Sequence, residues 1–245
     1  MLKALRTDHQ SDSHMDSSYV YEIIKERIAQ RELLPGEKIN QNQLALELGV
    51  SRTPVINALH MLKAGGILDN TPNKGFYVHD SSLQETLELY EIRQAVETIA
   101  VAGVVEHAAI EDIRGCSEMF LPFLHQNSID LAEYARVDRV FHSKLIELSQ
   151  NSMLLRVNQS ILLLPRLFSS GFMRSPKHTI QGHIDISNAL VKRDAELAKK
   201  LTYEHLGRSL KVVKDAVNGL RKIGLDPHKI TVSDCLVNSI LEIKD

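Results

Sequence analysis

The stretch NQNQLALELGVSRTPVINALHMLKA, residues 40–64, decides the fold of the N-terminal region. Asn40 followed by Gln43 is a capping-box pattern that begins a helix, and Gly49 ends that helix because glycine adopts a left-handed conformation at little cost. Ser51 predicts the cap of the next helix. Two short helices joined by so tight a turn are typical of a helix-turn-helix, whose second helix can enter the major groove of DNA.

The second of these helices carries polar side chains on its predicted outward face. Arginine can bind guanine and asparagine can bind adenine, each through paired hydrogen bonds, and hydroxyl groups can bind bases or phosphates. The side chains that we expect to contact DNA from this helix and its cap are Ser51, Arg52, Thr53 and Asn57.

A β-hairpin is predicted directly after the helix-turn-helix. The segments ILDN and FYVHD flank the turn TPNKG, which places Lys74 and Gly75 at the tip. Glycine allows the backbone to approach a groove closely, and lysine supplies charge for phosphates or the minor groove. With the amphipathic stretch 19–31 before it, the region 18–80 is predicted to be a winged helix-turn-helix domain, and residues 1–17 a flexible tail. A helical hairpin and β-ribbon used for protein contact is the alternative.

The composition of the whole chain narrows the function classes. Hydrophobic residues make up 43% and charged residues 24% of the 245 residues, as in a soluble globular protein. No apolar run approaches the roughly 20 residues of a membrane span, and the N-terminus lacks the pattern of a signal peptide. Two cysteines are too few for a disulfide framework, so we expect a cytoplasmic protein. The region 18–80 holds seven Lys/Arg and seven Asp/Glu, so DNA binding must depend on where its charges lie.

Residues 33–68, LLPGEKINQNQLALELGVSRTPVINALHMLKAGGIL, followed by NKGFYV at 73–78, closely resemble the DNA-binding domain of the GntR family of bacterial regulators. The PG turn, the LA…LGVSRTPV run and the wing glycine carry this resemblance. It implies a transcription factor that binds a double-stranded DNA operator, and we expect a homodimer on a pseudo-palindromic site. Ile56 and Gln41 stand where an arginine and an acidic residue are usual, so the resemblance does not specify the operator sequence.

The region 81–222 has helical periodicity without a convincing strand pattern, and it resembles the helical ligand-binding domain of the FadR-like branch of that family. Short breaks between the helices imply antiparallel neighbours in a bundle. The predicted helical stretches are 83–107, 110–126, 129–150, 152–173, 178–192 and 194–222. The predicted fold class is therefore mainly α, with an N-terminal winged helix-turn-helix and a C-terminal all-helical antiparallel bundle.

Residues 223–245 form a C-terminal extension that runs past the family pattern. The segment TVSDCLVNSILEI at 231–243 predicts a short amphipathic helix with Ser233 as its cap. Its predicted inward residues are Leu236, Val237 and Ile240. This helix packs either on the bundle or across a dimer, and the sequence leaves both open.

Four polar residues fall on otherwise apolar faces of the predicted bundle helices. Asp138 and His142 are four residues apart and share one face, while His183 and His205 lie on apolar faces of two later helices. By spacing alone they are either satisfied core residues or the ligands of one divalent metal. Imidazole and carboxylate groups suit Zn²⁺, Ni²⁺ and Mn²⁺.

The resemblance to FadR-like domains adds to this reading, because many of them hold a metal through an Asp and three His in the same pattern. It implies that the metal ligands are Asp138, His142, His183 and His205, although Gly182 replaces the glutamate that often precedes the third ligand. Family effectors are commonly small carboxylates, which implies that Arg93 binds a small organic acid in this effector- and metal-binding domain. A surface salt bridge between Arg93 and Glu97, four residues on, is the alternative.

Three function classes follow from these observations. The first is a metabolite-responsive transcriptional regulator, expected to be a repressor, in which effector and DNA affinities are linked. The second is a metal-dependent hydrolase that uses the Asp/His₃ residues, although no clear general base or nucleophile accompanies them. The third is a DNA architectural protein, for which a bundle with inward polar residues has no evident use.

Overall fold

Three helices and a hairpin form the N-terminal region of the computed structural model, which describes residues 12–124, 126, 128–160 and 176–237. The elements are α1 (Asp12–Ala29), α2 (Gln41–Leu48), α3 (Arg52–Ala64), β1 (Leu68–Thr71) and β2 (Gly75–Val78). The predicted winged helix-turn-helix order is confirmed. Helix α1 begins at Asp12, inside the segment 1–17 that was predicted to be a tail.

The signals that end and begin the two central helices act largely as their chemistry dictates. The Asn40 side chain accepts a hydrogen bond of 3.1 Å from the Gln43 amide, and Gly49 adopts φ +66°. Ser51 occupies the N-cap position of α3 but makes no capping hydrogen bond with its side chain, so its predicted capping role is wrong. Its side chain is exposed beside the recognition helix instead.

A single apolar cluster joins all parts of this domain. Val20 and Ile24 of α1, Val55 and Leu59 of α3 and Phe76 of β2 are buried in it. Each fully buried side chain of this kind contributes about 1.5–3 kcal/mol. The cluster therefore fixes the hairpin against α3. Within the antiparallel hairpin, Leu68 pairs with Val78 and Thr71 with Gly75, so Lys74 lies in the turn as predicted.

The C-terminal region is helical throughout its described residues. The elements are α4 (Leu83–His107), α5 (Ile110–Glu118), a 3₁₀ turn (Leu121–Phe123), α6 (Leu131–Leu148), α7 (Ser152–Ser160), α8 (Pro176–Val191), α9 (Ala195–Lys222) and α10 (Val232–Val237). Helix α4 has the predicted bounds. The predicted helix 110–126 ends early, at Glu118, because the Pro122 ring would clash with the carbonyl of that residue. Residues 161–173 of the predicted helix 152–173 lie outside the described residues.

Helix α4 runs along α9 and α6 at the centre of the bundle. Gly103 allows α4 to approach the end of α6, since a β-carbon there would lie 2.5 Å from the Ser149 carbonyl oxygen. The apolar core around Phe120, Tyr134 and Phe141 packs against the same helices. No helix among the described residues is long and apolar enough to cross a membrane.

Candidate DNA-binding surface and metal centre

The outward face of α3 and the wing tip border one polar cleft of about 590 Å³. Arg52 lines this cleft together with Lys74 and Gly75, so the structure brings helix and wing residues onto a common surface. Ser51, Thr53 and Asn57 are exposed at α3 and are absent from the lining. Cationic side chains that border a polar cleft suit a phosphate backbone.

Sequence reasoning did not place the other six lining residues of the cleft on this surface. These are Lys38, Ile39, Asn40, Gln41, Asn42 and, from the wing turn, Asn73. Lys38 reaches the cleft because its backbone pairs with Tyr77 of β2, which extends the hairpin by one short segment. The sequence separates Lys38 from Lys74 by a helix-turn-helix, so only the folded register shows that the two amines share a surface.

The four predicted metal ligands meet inside the bundle, where three helices converge. Asp138 and His142 lie on α6, His183 on α8 and His205 on α9, and all four are buried. His183 Nε2 is 3.0 Å from Asp138 Oδ1 and 3.2 Å from His142 Nε2. Potential ligand nitrogens of the three histidines lie within 4.8 Å of one another.

Hydrogen bonds at the far side of two imidazoles orient them toward this meeting point. His142 Nδ1 contacts Glu97 Oε2, and His183 Nδ1 lies 3.4 Å from the Tyr134 hydroxyl. That hydroxyl also contacts Thr179 Oγ1 at 2.6 Å. The Nε2 atoms of His142 and His183 therefore face each other and Asp138. Ligating histidines in proteins are commonly held in this way, through the ring nitrogen that does not bind the metal.

His205 completes the cluster without a hydrogen bond of its own at Nδ1. This nitrogen is buried and has no partner among the described residues. Its ring lies against α8 at Gly182, where a β-carbon would be 2.5 Å from Nδ1. The glycine at position 182 is thus the residue that makes room for the His205 ring. An unpartnered buried nitrogen costs about 1–3 kcal/mol, which a ligand bound at the cluster can offset.

Burial and neighbouring charge favour the ligating protonation states of His183, His205 and Asp138. Burial lowers the pKa of His183, and it lowers the pKa of His205 well below its usual value, so both rings favour the neutral form. Burial alone would raise the pKa of Asp138, but His183, His142 and Arg93 more than offset this and hold it below its usual range. Neutral imidazoles beside an ionised carboxylate are the ligating forms.

The distances also fit one divalent ion. Ligand atoms at about 2.0–2.1 Å from an ion lie roughly 3.3–3.4 Å apart in tetrahedral geometry and roughly 2.8–3.0 Å apart in octahedral geometry. The separations of 3.0 and 3.2 Å at His183 Nε2 lie between these two values, and His142 Nε2 is 3.8 Å from Asp138 Oδ2. Three imidazoles and one carboxylate are a donor set for Zn²⁺, Ni²⁺ or Mn²⁺, so the residues present fit the metal that the family resemblance implies.

Arg93 and Glu97 form a buried ion pair beside the cluster. Arg93 Nε donates to Glu97 Oε1 at 2.8 Å, and a terminal nitrogen of Arg93 is 3.9 Å from Asp138 Oδ2. Both side chains are buried, so the pair is not the surface salt bridge that the sequence offered as the alternative. Sequence reasoning missed the contact of Glu97 with His142, because the two residues are 45 positions apart and the i,i+4 spacing suggested only a local pair.

Comparison with known proteins agrees with both regions. The family described as "Bacterial regulatory proteins, gntR family" matches residues 17–78, and the "FCD domain" family matches residues 88–208. The Nta operon transcriptional regulator of Aminobacter aminovorans is 30% identical over 185 residues, which cover 76% of this chain and 88% of that protein. The probable D-xylose utilization operon transcriptional repressor of Paenarthrobacter nicotinovorans is 27% identical, with 83% of this chain and 91% of that protein covered. The structure of E. coli McbR/YncC has the same fold, with a TM-score of 0.71 at 22% identity over 82% of this chain and 97% of that one.

A winged helix-turn-helix followed by a helical FCD domain defines a transcriptional regulator. The chain belongs to the gntR family of bacterial regulatory proteins, in its FadR-like branch. Its relatives are transcriptional regulators rather than enzymes, so the interpretation of the Asp/His₃ residues as a hydrolase site is set aside.

Proposed function

We propose that this regulator is a repressor that binds its operator as a homodimer, holds a divalent metal in its helical domain and responds to a small carboxylate. The observation that carries the proposal is the convergence of Asp138, His142, His183 and His205 inside the domain that does not bind DNA. A regulator has no structural need for three histidines around one buried carboxylate, since apolar residues would fill the same volume at lower cost. A bound divalent ion explains the set.

The effector is proposed to be a small organic acid. A metal held by four protein ligands can keep a coordination position for a carboxylate oxygen if it expands beyond tetrahedral geometry. Arg93 supplies positive charge at the same place, since its guanidinium lies 3.9 Å from Asp138. Because Glu97 already pairs with Arg93, the effector would share this guanidinium rather than find it uncommitted.

Repression is proposed because relatives with named activities include a repressor, the one from Paenarthrobacter nicotinovorans. DNA contacts are assigned to Ser51, Arg52, Thr53 and Asn57 on the recognition helix, and to Lys74 and Gly75 on the wing. Effector binding would then change the affinity for the operator, and DNA would change the affinity for the effector by the same factor.

The test begins with operator selection from random-sequence duplexes, followed by metal analysis of the purified protein. Zinc, nickel and manganese are titrated into the chelated protein, and binding of the selected duplex is measured with and without a panel of small carboxylates. We expect one metal per chain and a carboxylate that weakens DNA binding only in the metal-bound protein. Absence of stoichiometric binding for all three ions would refute the metal site, and equal carboxylate affinity without metal would refute the binding mode.

A further inference from the structure

The Glu97 carboxylate contacts two buried side chains, those of Arg93 and His142. Its Oε1 accepts from Arg93 Nε at 2.8 Å, and its Oε2 meets His142 Nδ1. The side chain is fully buried, and no sequence motif or family match assigns it a role. A carboxylate that is paired with a buried guanidinium can only accept hydrogen bonds.

We infer that Glu97 is a positioning residue that selects the metal-binding tautomer of His142. An acceptor at Nδ1 places the proton on Nδ1 and leaves the Nε2 lone pair directed at His183 and Asp138. Arg93 in turn holds the carboxylate against the ring from the opposite oxygen. The assignment rests on the proposed metal site, and it gives Arg93 a second task besides that of effector partner.

The variant Glu97→Gln tests this because glutamine has one acceptor and one donor in place of two acceptors. If its oxygen stays with Arg93, its NH₂ group faces His142 Nδ1 and favours the tautomer protonated at Nε2, which cannot bind a metal. We expect zinc affinity, measured by chelator competition, to fall about 10–100-fold. The matched control is Glu106→Gln, an exposed residue near the end of the same helix, which should keep the parent affinity.

Nitrogen NMR of the metal-free protein separates positioning from simple stability. The parent should show His142 protonated at Nδ1, and Glu97→Gln should shift the population toward Nε2. An unchanged tautomer or an unchanged zinc affinity in a folded variant would overturn the inference. Failure of the parent to bind zinc, nickel and manganese alike would instead refute the proposed metal site, while the tautomer measurement would still decide the role of Glu97.

A second inference comes from the C-terminal extension, which lies beyond the FCD match at 88–208. Residues 225–235, named here the brace, fold back onto residues 79–82, the linker between the wing and α4. The Val232 amide donates to the Ser81 carbonyl at 3.0 Å, and the Leu83 amide donates to the Ile230 carbonyl at 2.8 Å. The Ser233 hydroxyl donates to Asp80 Oδ1 at 3.0 Å.

The brace is also anchored in the bundle. Val232 and Cys235 are fully buried against Leu83 of α4 and Val217 of α9. Helix α10 begins with a reciprocal cap in which the Asp234 amide donates to the Thr231 hydroxyl and the Thr231 amide donates to the Asp234 carboxylate. Ser233 therefore binds the linker rather than capping the helix, which corrects the sequence prediction. The side chains of Leu236, Val237 and Ile240 lie outside the described residues.

We propose that the brace fixes the linker and so sets the position of the DNA-binding domain relative to the bundle. The linker is the covalent joint between the two regions, and the hydrogen bonds of the brace to Asp80, Ser81 and the first residue of α4 limit its freedom to act as a hinge. The consequence for DNA affinity rests on the proposed function. If loss of the brace leaves only about a third of molecules competent, operator affinity falls about threefold.

Hydrogen exchange tests the brace without DNA. The variants are Val232→Asp, which places a charge at a fully buried position, and a deletion of all residues after Gly224. The control is Lys229→Ala, an exposed position within the brace. We expect the amides of Leu83 and Gln84 to exchange at least about tenfold faster in both variants, with the control unchanged.

Binding of the selected duplex and of zinc completes the test. Operator affinity should fall about threefold or more while zinc affinity stays at the parent value. Unchanged exchange at Leu83 and Gln84 would show that the brace does not hold the linker. Faster exchange with unchanged DNA affinity would show that the brace does not set the position of the winged domain. Faster exchange with loss of zinc binding would show that the brace stabilises the bundle instead.

Discussion

The winged domain exposes the polar groups that it is proposed to use, whereas the helical domain buries them. Arg52 and Lys74 are exposed around an apolar core to which they contribute nothing. Arg93, Glu97 and the Asp/His₃ cluster lie inside the bundle, where each charge depends on its neighbours. In the winged domain, therefore, the residues proposed to bind DNA are separate from those that stabilise the fold, whereas in the bundle the same residues do both. Substitutions in the two regions should therefore differ in kind.

The largest effect should come from removing one partner of the buried ion pair between Arg93 and Glu97. Glu97→Ala leaves the Arg93 guanidinium buried without its main partner, and such a loss costs about 3–5 kcal/mol in the free energy of unfolding. Denaturant unfolding of the metal-free protein measures it. Glu106→Ala, at an exposed position of the same helix, should change that free energy by less than about 0.5 kcal/mol. Equal stability of the two variants would show that the buried ion pair does not stabilise the bundle, which would contradict the contrast between the two regions.

The next effect is that of the metal itself. At a hundredfold excess over its Kd, a metal bound only by the native state stabilises the fold by about 2.7 kcal/mol. The double variant His183→Ala/His205→Ala should lose this gain, so its melting temperature should no longer depend on zinc. The control His107→Ala/His228→Ala removes two exposed histidines and should keep the response. A zinc response that survives in the first double variant would place the metal elsewhere.

The same contrast explains how much could be predicted from the sequence. The caps at Asn40 and Gly49 act through residues three or four positions away, so local pattern alone gives the helix-turn-helix. The helices of the bundle and the inward direction of its histidines also follow from periodicity. Glu97 could not be assigned, because its partner His142 comes from another helix 45 residues later.

Features that depend on the register of strand pairing could not be predicted from the sequence either. Lys38 joins the polar cleft through a backbone pairing with Tyr77, which no periodicity encodes. The early end of α5 could have been predicted, because Pro122 disfavours continuation of the helix beyond Glu118. The metal and effector roles remain predictions, because geometry shows only that the groups meet.

On the exposed side, Arg52→Ala should weaken binding of the selected duplex by about 1–3 kcal/mol if this residue reads a guanine. The unfolding free energy should stay within about 0.5 kcal/mol of the parent, because the side chain is exposed. Arg114→Ala, an exposed arginine in the bundle, is the matched control for the loss of charge. Parent-like affinity of Arg52→Ala for its operator would remove the recognition-helix assignment.

The smallest effects should come from the two lysine amines of the cleft, of which Lys74 was predicted from the sequence and Lys38 was not. Lys38 and Lys74 line the same cleft as Arg52. If each neutralises one phosphate, Lys38→Ala and Lys74→Ala should weaken binding to selected and random duplexes alike, and each should reduce the slope of log K against log salt by about 1. Lys211→Ala changes the net charge equally from an exposed position in the bundle, so it controls for nonspecific charge. Fluorescence anisotropy across a salt series gives the slopes. A variant that weakens the selected duplex but not the random one would mark its lysine as a base reader, and a slope equal to that of Lys211→Ala would remove it from the interface.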